Sequence, residues 1–488
     1  LYQHSDERRK FLNNVGERIY NGWLRGKKEE WIRVTYLGGG RHVGRSSMLL
    51  QTPESRVLLD CGVDVGSKQE AYPMLESPEF RIEELDAVII SHAHLDHTGF
   101  LPYLFKYGYK GPVYCTEPTR DVMSLLLLDY VKIMVSSGED PIFTSDEIKQ
   151  MVLHTITLNY EEVTDVTPDI RITFYNAGHI LGSSMVHIHV GNGLHNILYT
   201  GDIKYGRTKL LNPAATRFPR LETMMLEGTY GARDAVLPSQ EQTEREFIDI
   251  ITHTINEKHG KVLIPVLGVG RAQEVMLIVE ELIQNKSIPD VPIYIDGMVW
   301  DVTAIHTAYP EFLNSYVRKK IFHKNENPFL FESFKRVGSK KERSEILDNE
   351  GSCIILATSG MLQGGASVEY LRNLAEDKRH SLIFVSYQGA GTLGRRIQQG
   401  ERGFAISQNS GKADNVQLKM DIYTVEGLSG HSDRRQLMNF VHRVQPQPKK
   451  VIINHGESSR CLDLASSIHK AYKMETLAPR NLDSIRIK

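Results

Sequence analysis

The segment Ser91-His92-Ala93-His94-Leu95-Asp96-His97-Thr98-Gly99 puts four metal-binding side chains within six residues, directly after the apolar run Ala87 to Ile90. At a strand end, such a loop can fold back so that His92 and His94 face one ion while Asp96 and His97 face a neighbour. Imidazole and carboxylate suit zinc, and a catalytic zinc keeps one position open for water. A lone loop histidine is commonplace, but this density is not, so the segment reads as a metal site. One loop cannot complete two coordination spheres, and three further motifs offer the missing groups. They are Ala177-Gly178-His179, Tyr199-Thr200-Gly201-Asp202 and Asn454-His455-Gly456, each with its histidine or aspartate beside glycine after a strand-like run. Residues at strand ends can converge from separate parts of the chain.

The elements that must position these groups follow from the pattern. From Trp31 onward, short apolar runs broken by glycine (WIRVTYLGGG, SSMLLQT, RVLLDCG, AVIISH) read as strands. Helical patterns follow at 119–136 and 144–153, then strands at 170–176, 185–190 and 196–200. A second block spans about 240 to 420: a helix at 240–258, the strand KVLIPVL, a helix at 271–285, the strand PIYID, and strands at 353–357 and 382–386. The chain closes on DIYTVEG and KKVIINHG with helices around them. Alternating strands and helices predict layered α/β domains. Residues 5–30 are highly charged with spaced apolar positions (Phe11, Leu12, Val15, Ile19, Trp23), which predicts an amphipathic helix linking to something upstream.

Composition sets bounds on the function. A length of 488 residues predicts two or three domains with a sizeable core. A hydrophobic fraction of 41% and a charged fraction of 24% exclude disordered, collagenous and membrane classes. With 58 Lys+Arg against 60 Asp+Glu, the net charge is −2, which excludes nucleic-acid binding by bulk charge but leaves room for a local basic groove. Cys61, Cys115, Cys353 and Cys461 lie far apart with no C-x-x-C pair, which argues against a disulfide scaffold and fits a reducing cytoplasm. The opening residues LYQHSDERRKF are charged where a signal peptide would be apolar. The longest apolar stretch, Val122 to Val135, carries Asp129 and Lys132 and falls short of the about 20 residues a membrane span needs, so no membrane partner is expected. The chain starts at Leu1 rather than Met, so a trimmed N-terminal portion is expected.

On these motifs, the chain from about residue 31 to its end resembles the metallo-β-lactamase superfamily, and more narrowly its β-CASP nucleases. H-x-H-x-D-H, His179 and Asp202 match the superfamily's metal ligands in order, and Asp60 in Leu58-Leu59-Asp60-Cys61-Gly62 matches its early aspartate, which supports the ligand loop without binding metal. Three β-CASP positions are present: Glu227 in Leu226-Glu227-Gly228-Thr229-Tyr230-Gly231, His431 in Ser429-Gly430-His431-Ser432-Asp433, and His455. The resemblance implies two zinc ions per chain. One would lie at His92, His94, His179 and Asp202, and the second at Asp96, His97, Asp202 and His455, with Asp202 bridging. Histidine at position 455 is similar to the RNA-processing members, whereas the DNA-repair branch usually has valine. His42, before Val43-Gly44-Arg45, departs from the glutamate usual in the family.

The implied fold is α/β: a four-layer αββα metallo-β-lactamase fold with an inserted β-CASP α/β domain, and the site in the cleft between them. The expected boundaries are a helical linker at 1–30, the first part of the hydrolase domain at 31–230, the β-CASP domain at 231–424 and the return segment at 425–488. Within the family, the chain is most similar to archaeal relatives of the endonuclease subunit of the cleavage and polyadenylation specificity factor. That similarity implies single-stranded RNA as substrate, KH modules upstream, a homodimer formed through the C-terminal region, and a link to the transcription machinery and its termination.

The implied chemistry is phosphodiester hydrolysis. Paired zinc ions lower the pKa of a shared water, giving a bridging hydroxide near neutral pH, and neutralise phosphate oxygens. In-line attack leaves a 5′-phosphate and expels a 3′-hydroxyl. His431 is the candidate general acid for that leaving oxygen, because imidazole titrates near working pH, and Glu227 could orient it. The rival readings are an RNase J-like 5′–3′ exoribonuclease, a small-ester or thioester hydrolase, and an inactive RNA-binding scaffold. The inserted domain with Glu227, His431 and His455 speaks against the hydrolase, and the full ligand set against the scaffold.

Two glycine-rich turns are candidate RNA contacts. Thr358-Ser359-Gly360-Met361-Leu362-Gln363-Gly364-Gly365-Ala366-Ser367 joins a strand to a helix, where backbone N–H groups can meet a phosphate through Ser359, Gly360, Gly364, Gly365 and Ser367. Ser386 to Arg396 ends on Arg395 and Arg396, suited to bidentate phosphate contacts. Between Arg318 and Arg343, nine Lys/Arg against three acids leave +6, interleaved with Phe322, Phe329, Phe331 and Phe334. This stretch has two readings: a base-stacking basic face, or a solvated face over core phenylalanines. His187 and His189 share a strand face with no third ligand nearby and read as core or surface. Gly268-Val269-Gly270-Arg271 lacks the full nucleotide-loop pattern and reads as a tight strand–helix connection.

Overall fold

The computed structural model describes residues 4–22, 30–67, 69–389, 391–407 and 413–488. Residues 23–29 of the expected linker helix, Trp23 among them, and Ala390 of the second glycine turn lie outside these. The chain divides into two compact units. Unit 1 takes Leu1–Gly206, Pro213–Val236 and His431–Lys488, and unit 2 takes Arg207–Asn212 and Leu237–Gly430. Against the expected insertion at 231–424, the second unit starts and ends six residues later and also claims the short piece 207–212. That piece is held by tertiary bonds: both carboxylate oxygens of Glu274 accept backbone N–H groups, from Lys209 at 2.6 Å and Leu210 at 2.9 Å.

In chain order, the strands of unit 1 begin with β1 (Arg33–Gly38), β2 (Ser47–Gln51), β3 (Arg56–Leu59), β4 (Ala87–Ile89), β5 (Val113–Cys115) and β6 (Thr155–Thr157). They continue with β7 (Val163–Asp165), β8 (Ile170–Asn176), β9 (Ser184–Val190), β10 (His195–Tyr199) and β11 (Thr223–Glu227). Unit 2 holds β12 (Val262–Pro265), β13 (Ile293–Asp296), β14 (Phe334–Val337), β15 (Ile354–Ala357), β16 (Ser381–Phe384), β17 (Gly403–Ser407), β18 (Ala413–Gln417) and β19 (Asp421–Thr424). The return to unit 1 adds β20 (Lys450–Asn454), β21 (Glu475–Leu477) and β22 (Ser484–Arg486).

Unit 1 has two seven-stranded sheets, ordered β22-β1-β2-β3-β4-β5-β6 and β21-β20-β11-β10-β9-β8-β7. Their facing sides share one core, in which Val34, Tyr36, Leu50 and Ile89 of the first sheet meet Phe174, Ile188, Ile197 and Ile452 of the second. Each fully buried aliphatic or aromatic side chain there contributes roughly 1.5–3 kcal/mol. The outer face of the second sheet is covered by helices Arg434–Arg443 and Ser458–Tyr472, whose Leu437, Phe440, Leu464 and Ile468 pack on Met224, Leu226 and Ile453. Helices Leu101–Lys106, Glu117–Ser136 and Ser145–His154 pack together beside the first sheet, the second of them against β6. The result is helix, sheet, sheet, helix, as expected. Helix starts follow their caps: Thr144, Ser239 and Asp433 each form a reciprocal capping box with the residue three places on.

Two features of unit 1 matter for the site. Strands β10, β11 and β20 run parallel, and β8 runs the same way two strands from β10, so their carboxyl ends share one edge. In the first sheet, β3, β4 and β5 are parallel, and the loop after β4 carries His92. Such strands, buried on both faces, read as near-continuous apolar runs.

Unit 2 is a fully parallel six-stranded sheet, ordered β14-β13-β15-β12-β16-β19, with a separate antiparallel β17–β18 hairpin. Both predicted glycine-rich turns leave the carboxyl ends of its strands, after β15 and β16. Among the described residues, no helix is long and apolar enough to cross a membrane.

Candidate metal centre

Every histidine and carboxylate proposed as a ligand lies in unit 1. His92, His94, His179 and Asp202 form one group whose ligand atoms all lie within 4.8 Å of one another, and Asp96, His97, Asp202 and His455 form a second. Asp202 belongs to both. Its Oδ2 is 3.6 Å from His92 Nε2, 3.7 Å from His179 Nε2 and 3.5 Å from His97 Nε2, while its Oδ1 is 3.5 Å from His455 Nε2. His455 Nε2 is also 3.5 Å from Asp96 Oδ2, and His94 Nδ1 is 3.1 Å from His179 Nε2.

The convergence follows from the topology. His179, Asp202, Glu227 and His455 stand at or just after the carboxyl ends of β8, β10, β11 and β20. The loop from Ser91 to Thr98 is sewn beneath them: Cys61 N–H donates to His97 O at 2.8 Å, Ser46 N–H to Asp96 O at 2.8 Å, and Ser184 N–H to Ser91 O at 2.8 Å. Glycine permits the closeness. A Cβ on Gly62 would sit 1.8 Å from Asp96 O, and one on Gly201, at φ +51°, would sit 2.6 Å from Ser91 Cβ.

Hydrogen bonds fix the faces of the rings. Asp60, fully buried at φ +58°, accepts from Ser91 N–H and Ser91 Oγ (both 2.7 Å) and from Tyr199 OH at 2.6 Å, and its Oδ2 lies 2.7 Å from His97 Nδ1. Its carboxylate can only accept, so His97 carries its proton on Nδ1 and turns Nε2 to the centre. Ser91 Oγ donates to Asp60 and so accepts from His92 Nδ1 at 3.0 Å, which leaves His92 Nε2 as the inward lone pair. Ser46 Oγ lies 2.7 Å from His455 Nδ1. Among the described residues, His92 Nε2, His94 Nε2, His97 Nε2, His455 Nε2 and Asp202 Oδ1 are buried without a hydrogen-bond partner. Orphaned buried polar atoms are rare and costly. Here four of the five point at a shared centre, so the donor set fits divalent metal.

Ionisation agrees with that fit. Burial drives His92 well below the ordinary imidazole range, and the neighbouring His97 lowers it further. Burial likewise brings His94 down to about 4. His97 goes the other way: burial opposes its charge, but Asp202, Asp96 and Asp60 outweigh burial and raise it well above its usual value. Burial would raise Asp202, yet His455, His97 and His431 hold it well below the carboxylate range. Without metal, a proton on His97 takes part of the balancing role; a metal must displace it.

Glu227 and His431 form a third group with Asp202. His431 Nδ1 lies 3.0 Å from Glu227 Oε2, and Ile203 N–H donates to Glu227 Oε1 at 2.8 Å. The loop bearing His431 is pinned by Lys204 Nζ donating to His431 O at 2.8 Å and by Tyr205 N–H donating to Ser432 Oγ at 2.8 Å. Burial would depress His431, but the Glu227 and Asp202 carboxylates push it up to about 9. Its side chain is 21% exposed against 2% for Asp202, so solvent reaches it as it reaches Asp96, which is 27% exposed.

The RNA candidates lie in unit 2. Gln388 Nε2 donates to Gly360 O at 2.9 Å and Gly394 N–H to Met361 O at 3.2 Å, which brings the two glycine turns together. Gly364 and Gly365 have φ of +154° and +75°, backbone that favours glycine. Ser359 Oγ accepts Gln363 N–H at 3.0 Å, and Ser367 is buried with its hydroxyl donating to Ser359 O at 2.8 Å, so that hydroxyl is turned inward. Arg395 is exposed, and Arg396 is exposed but paired with Glu401. In the 318–343 stretch, Phe329 and Phe334 are core residues and Phe322 is exposed. Lys320 is buried against Glu280, and Arg343 is bound by Asp296 and Glu369. The solvated-face reading fits this stretch.

His187 and His189 are 3.0 Å apart, and His187 Nε2 lies 2.6 Å from Arg220 O, a closed pair rather than a site. Gly270 and Arg271 open the helix Arg271–Gln284 as a tight connection. His42 Nε2 lies 3.6 Å from Asp64, away from the ligand set. Ser46, Ser91, Tyr199, Lys204 and Ser432 hold the site but were not singled out by sequence. Only a polar Tyr199 closing an apolar strand, and a hydroxyl just before H-x-H, hinted at them.

A metallo-beta-lactamase superfamily domain model matches residues 49–226, a Beta-Casp domain model 272–397, and a Zn-dependent metallo-hydrolase RNA specificity domain model 415–479. The transcription termination factor FttA of Methanocaldococcus jannaschii is 52% identical over 489 residues, covering 100% of this chain and 76% of the relative. That of Thermococcus kodakarensis is 51% identical over 496 residues and that of Lokiarchaeum sp. 48% over 488, with the same shares covered. A crystal structure of a protein of unknown function from Enterococcus faecalis V583 shares the fold at TM-score 0.54 and 15% identity, covering 94% of this chain and 100% of that one.

Proposed function

The chain belongs to the β-CASP branch of the metallo-β-lactamase superfamily, and from that premise we propose that it is a two-zinc endoribonuclease acting in transcription termination. The carrying observation is the double ligand set sharing Asp202, with the Glu227–His431 pair beside it. The resemblance of the chain to archaeal termination factors supports the cellular setting.

Bound there, the metal pair would supply a nucleophilic oxygen at neutral pH and neutralise phosphate charge. The chain's own residues do the rest. His92, His94, His179 and Asp202 would hold one ion, and Asp96, His97, Asp202 and His455 the other. Asp60 and Ser91 keep His97 and His92 in the ligating tautomer. As the bond from phosphorus to the 3′-oxygen breaks, His431 gives that oxygen its proton. Glu227 keeps His431 charged and oriented through Nδ1, so the nitrogen turned away from Glu227, Nε2, is the donor. The products are a 3′-hydroxyl and a 5′-phosphate. In unit 2, the paired glycine turns and Arg395 would take backbone phosphates.

The test is cleavage of RNA labelled at either end, with metal content measured in parallel. Internal cuts leaving 5′-phosphate ends are expected. Stepwise loss from the 5′ end alone would favour the exonuclease reading, and cleavage that survives complete chelation of metal would overturn the mechanism.

A further inference from the structure

The turn between β1 and β2 reaches the metal centre at one residue that binds no metal itself. Ser46 is fully buried, and it touches two ligands of the same group. Its backbone N–H donates to Asp96 O at 2.8 Å, and its Oγ lies 2.7 Å from His455 Nδ1. Its own carbonyl accepts Gly62 N–H at 3.0 Å, so the serine is fixed from both sides. The same turn holds the backbone of His455, whose N–H donates to Gly39 O at 2.8 Å while the residue sits at φ +49°. The ring that results is 1% exposed, with Nε2 3.5 Å from both Asp96 Oδ2 and Asp202 Oδ1 and without a partner among the described residues.

We propose that Ser46 is a positioning residue for the Asp96/His97/Asp202/His455 ligand group, fixing the tautomer and rotation of His455. The inference rests on the metal reading above. A ligating Nε2 must be unprotonated, so Nδ1 carries the proton and Ser46 Oγ must accept it. Without that acceptor, Nδ1–H has no other side-chain partner among the described residues, and the ring is free to present its protonated face or to turn away. The first ligand group does not depend on this contact: His92 is set by Ser91, and neither His94 nor His179 touches Ser46. The device is therefore selective for one of the two sites.

Titration of metal-stripped full-length chain with zinc, read by competition against a chromophoric chelator, tests it. The native chain should show two binding classes. Ser46→Ala should weaken one class by about 10–100-fold and leave the other unchanged, while the metal-free protein still unfolds cooperatively, its melting temperature lowered only by the loss of one buried hydrogen bond. Ser46→Thr, which keeps the hydroxyl, should restore the weakened class. In a His455→Ala background, Ser46→Ala should add nothing, because the ring it orients is gone. Equal weakening of both classes, an additive double substitution, or native affinity in Ser46→Ala would overturn the proposal. A native chain that binds no zinc would instead remove the metal reading on which it stands.

Discussion

Two polar clusters built around a buried aspartate, one in each unit, show what separates a site from a brace. In unit 2, Arg343 forms a fork on Asp296, Nε to Oδ2 at 2.8 Å and Nη2 to Oδ1 at 2.9 Å, and it also pairs with Glu369. Tyr370 OH donates to Asp296 Oδ2 at 2.9 Å, and the guanidinium lies 5.7 Å from the Tyr370 ring centroid. Hydrogen bonds to Asp296 hold Arg343 firmly cationic, and every charge is answered within the cluster. In unit 1, the cluster around Asp202 buries a similar set of ionisable groups but leaves five polar atoms unanswered. Buried charge alone marks nothing; unused lone pairs that converge mark a place for a cation.

The largest expected effect breaks the open cluster. Asp202→Ala removes the ligand common to both groups and should cut RNA cleavage by at least about 10³-fold, with metal content falling while the melting temperature of unit 2 holds. The converse substitution, Arg343→Ala, should leave zinc binding intact but destabilise unit 2 by about 3 kcal/mol, because it strands Asp296 in the interior; thermal unfolding reads it. Nearly unchanged stability in Arg343→Ala would erase the contrast between brace and site.

A finer effect concerns the flank of the centre. In the proposed mechanism His431 acts as an acid while protonated, so turnover should be full below its pKa and lost as pH rises through it. Glu227 raises that pKa, and Glu227→Gln should move the alkaline limb of kcat down by roughly one pH unit, as a pH–rate profile would show. His431→Ala should keep both metals and lose about 10²–10⁴ in turnover. The smallest effects lie in unit 2: Arg395→Ala should lower the salt dependence of RNA binding by about one unit of slope, and Arg396→Ala by less, because Glu401 already holds that guanidinium.

The candidate ligand set could be picked out of the sequence because coordination needs rare residue types at strand ends, and H-x-H-x-D-H is dense enough to stand out. The layered α/β fold was legible from apolar runs such as Val262–Pro265 and Ile354–Ala357, which stay apolar because parallel strands are buried on both faces. Ser46, Ser91 and Tyr199 were not, since a single hydroxyl has dozens of ordinary uses and only the folded chain brings it to an imidazole or to Asp60. The piece 207–212 could not be assigned to unit 2 from local pattern either, because the carboxylate that claims it lies more than 60 residues away at Glu274. The 318–343 stretch showed the opposite failure: its charges were plain, but whether Phe329 and Phe334 faced solvent or core depended on packing that composition does not encode.

The cluster sharing Asp202 is proposed as a two-metal hydrolytic centre. Its most direct test is metal analysis of the full chain before and after chelation, with RNA cleavage measured on the same samples. About two zinc ions per native chain are expected, with loss of cleavage as they are removed and recovery when zinc alone is returned. A chelated, metal-free chain that still cuts RNA at the native rate would contradict it.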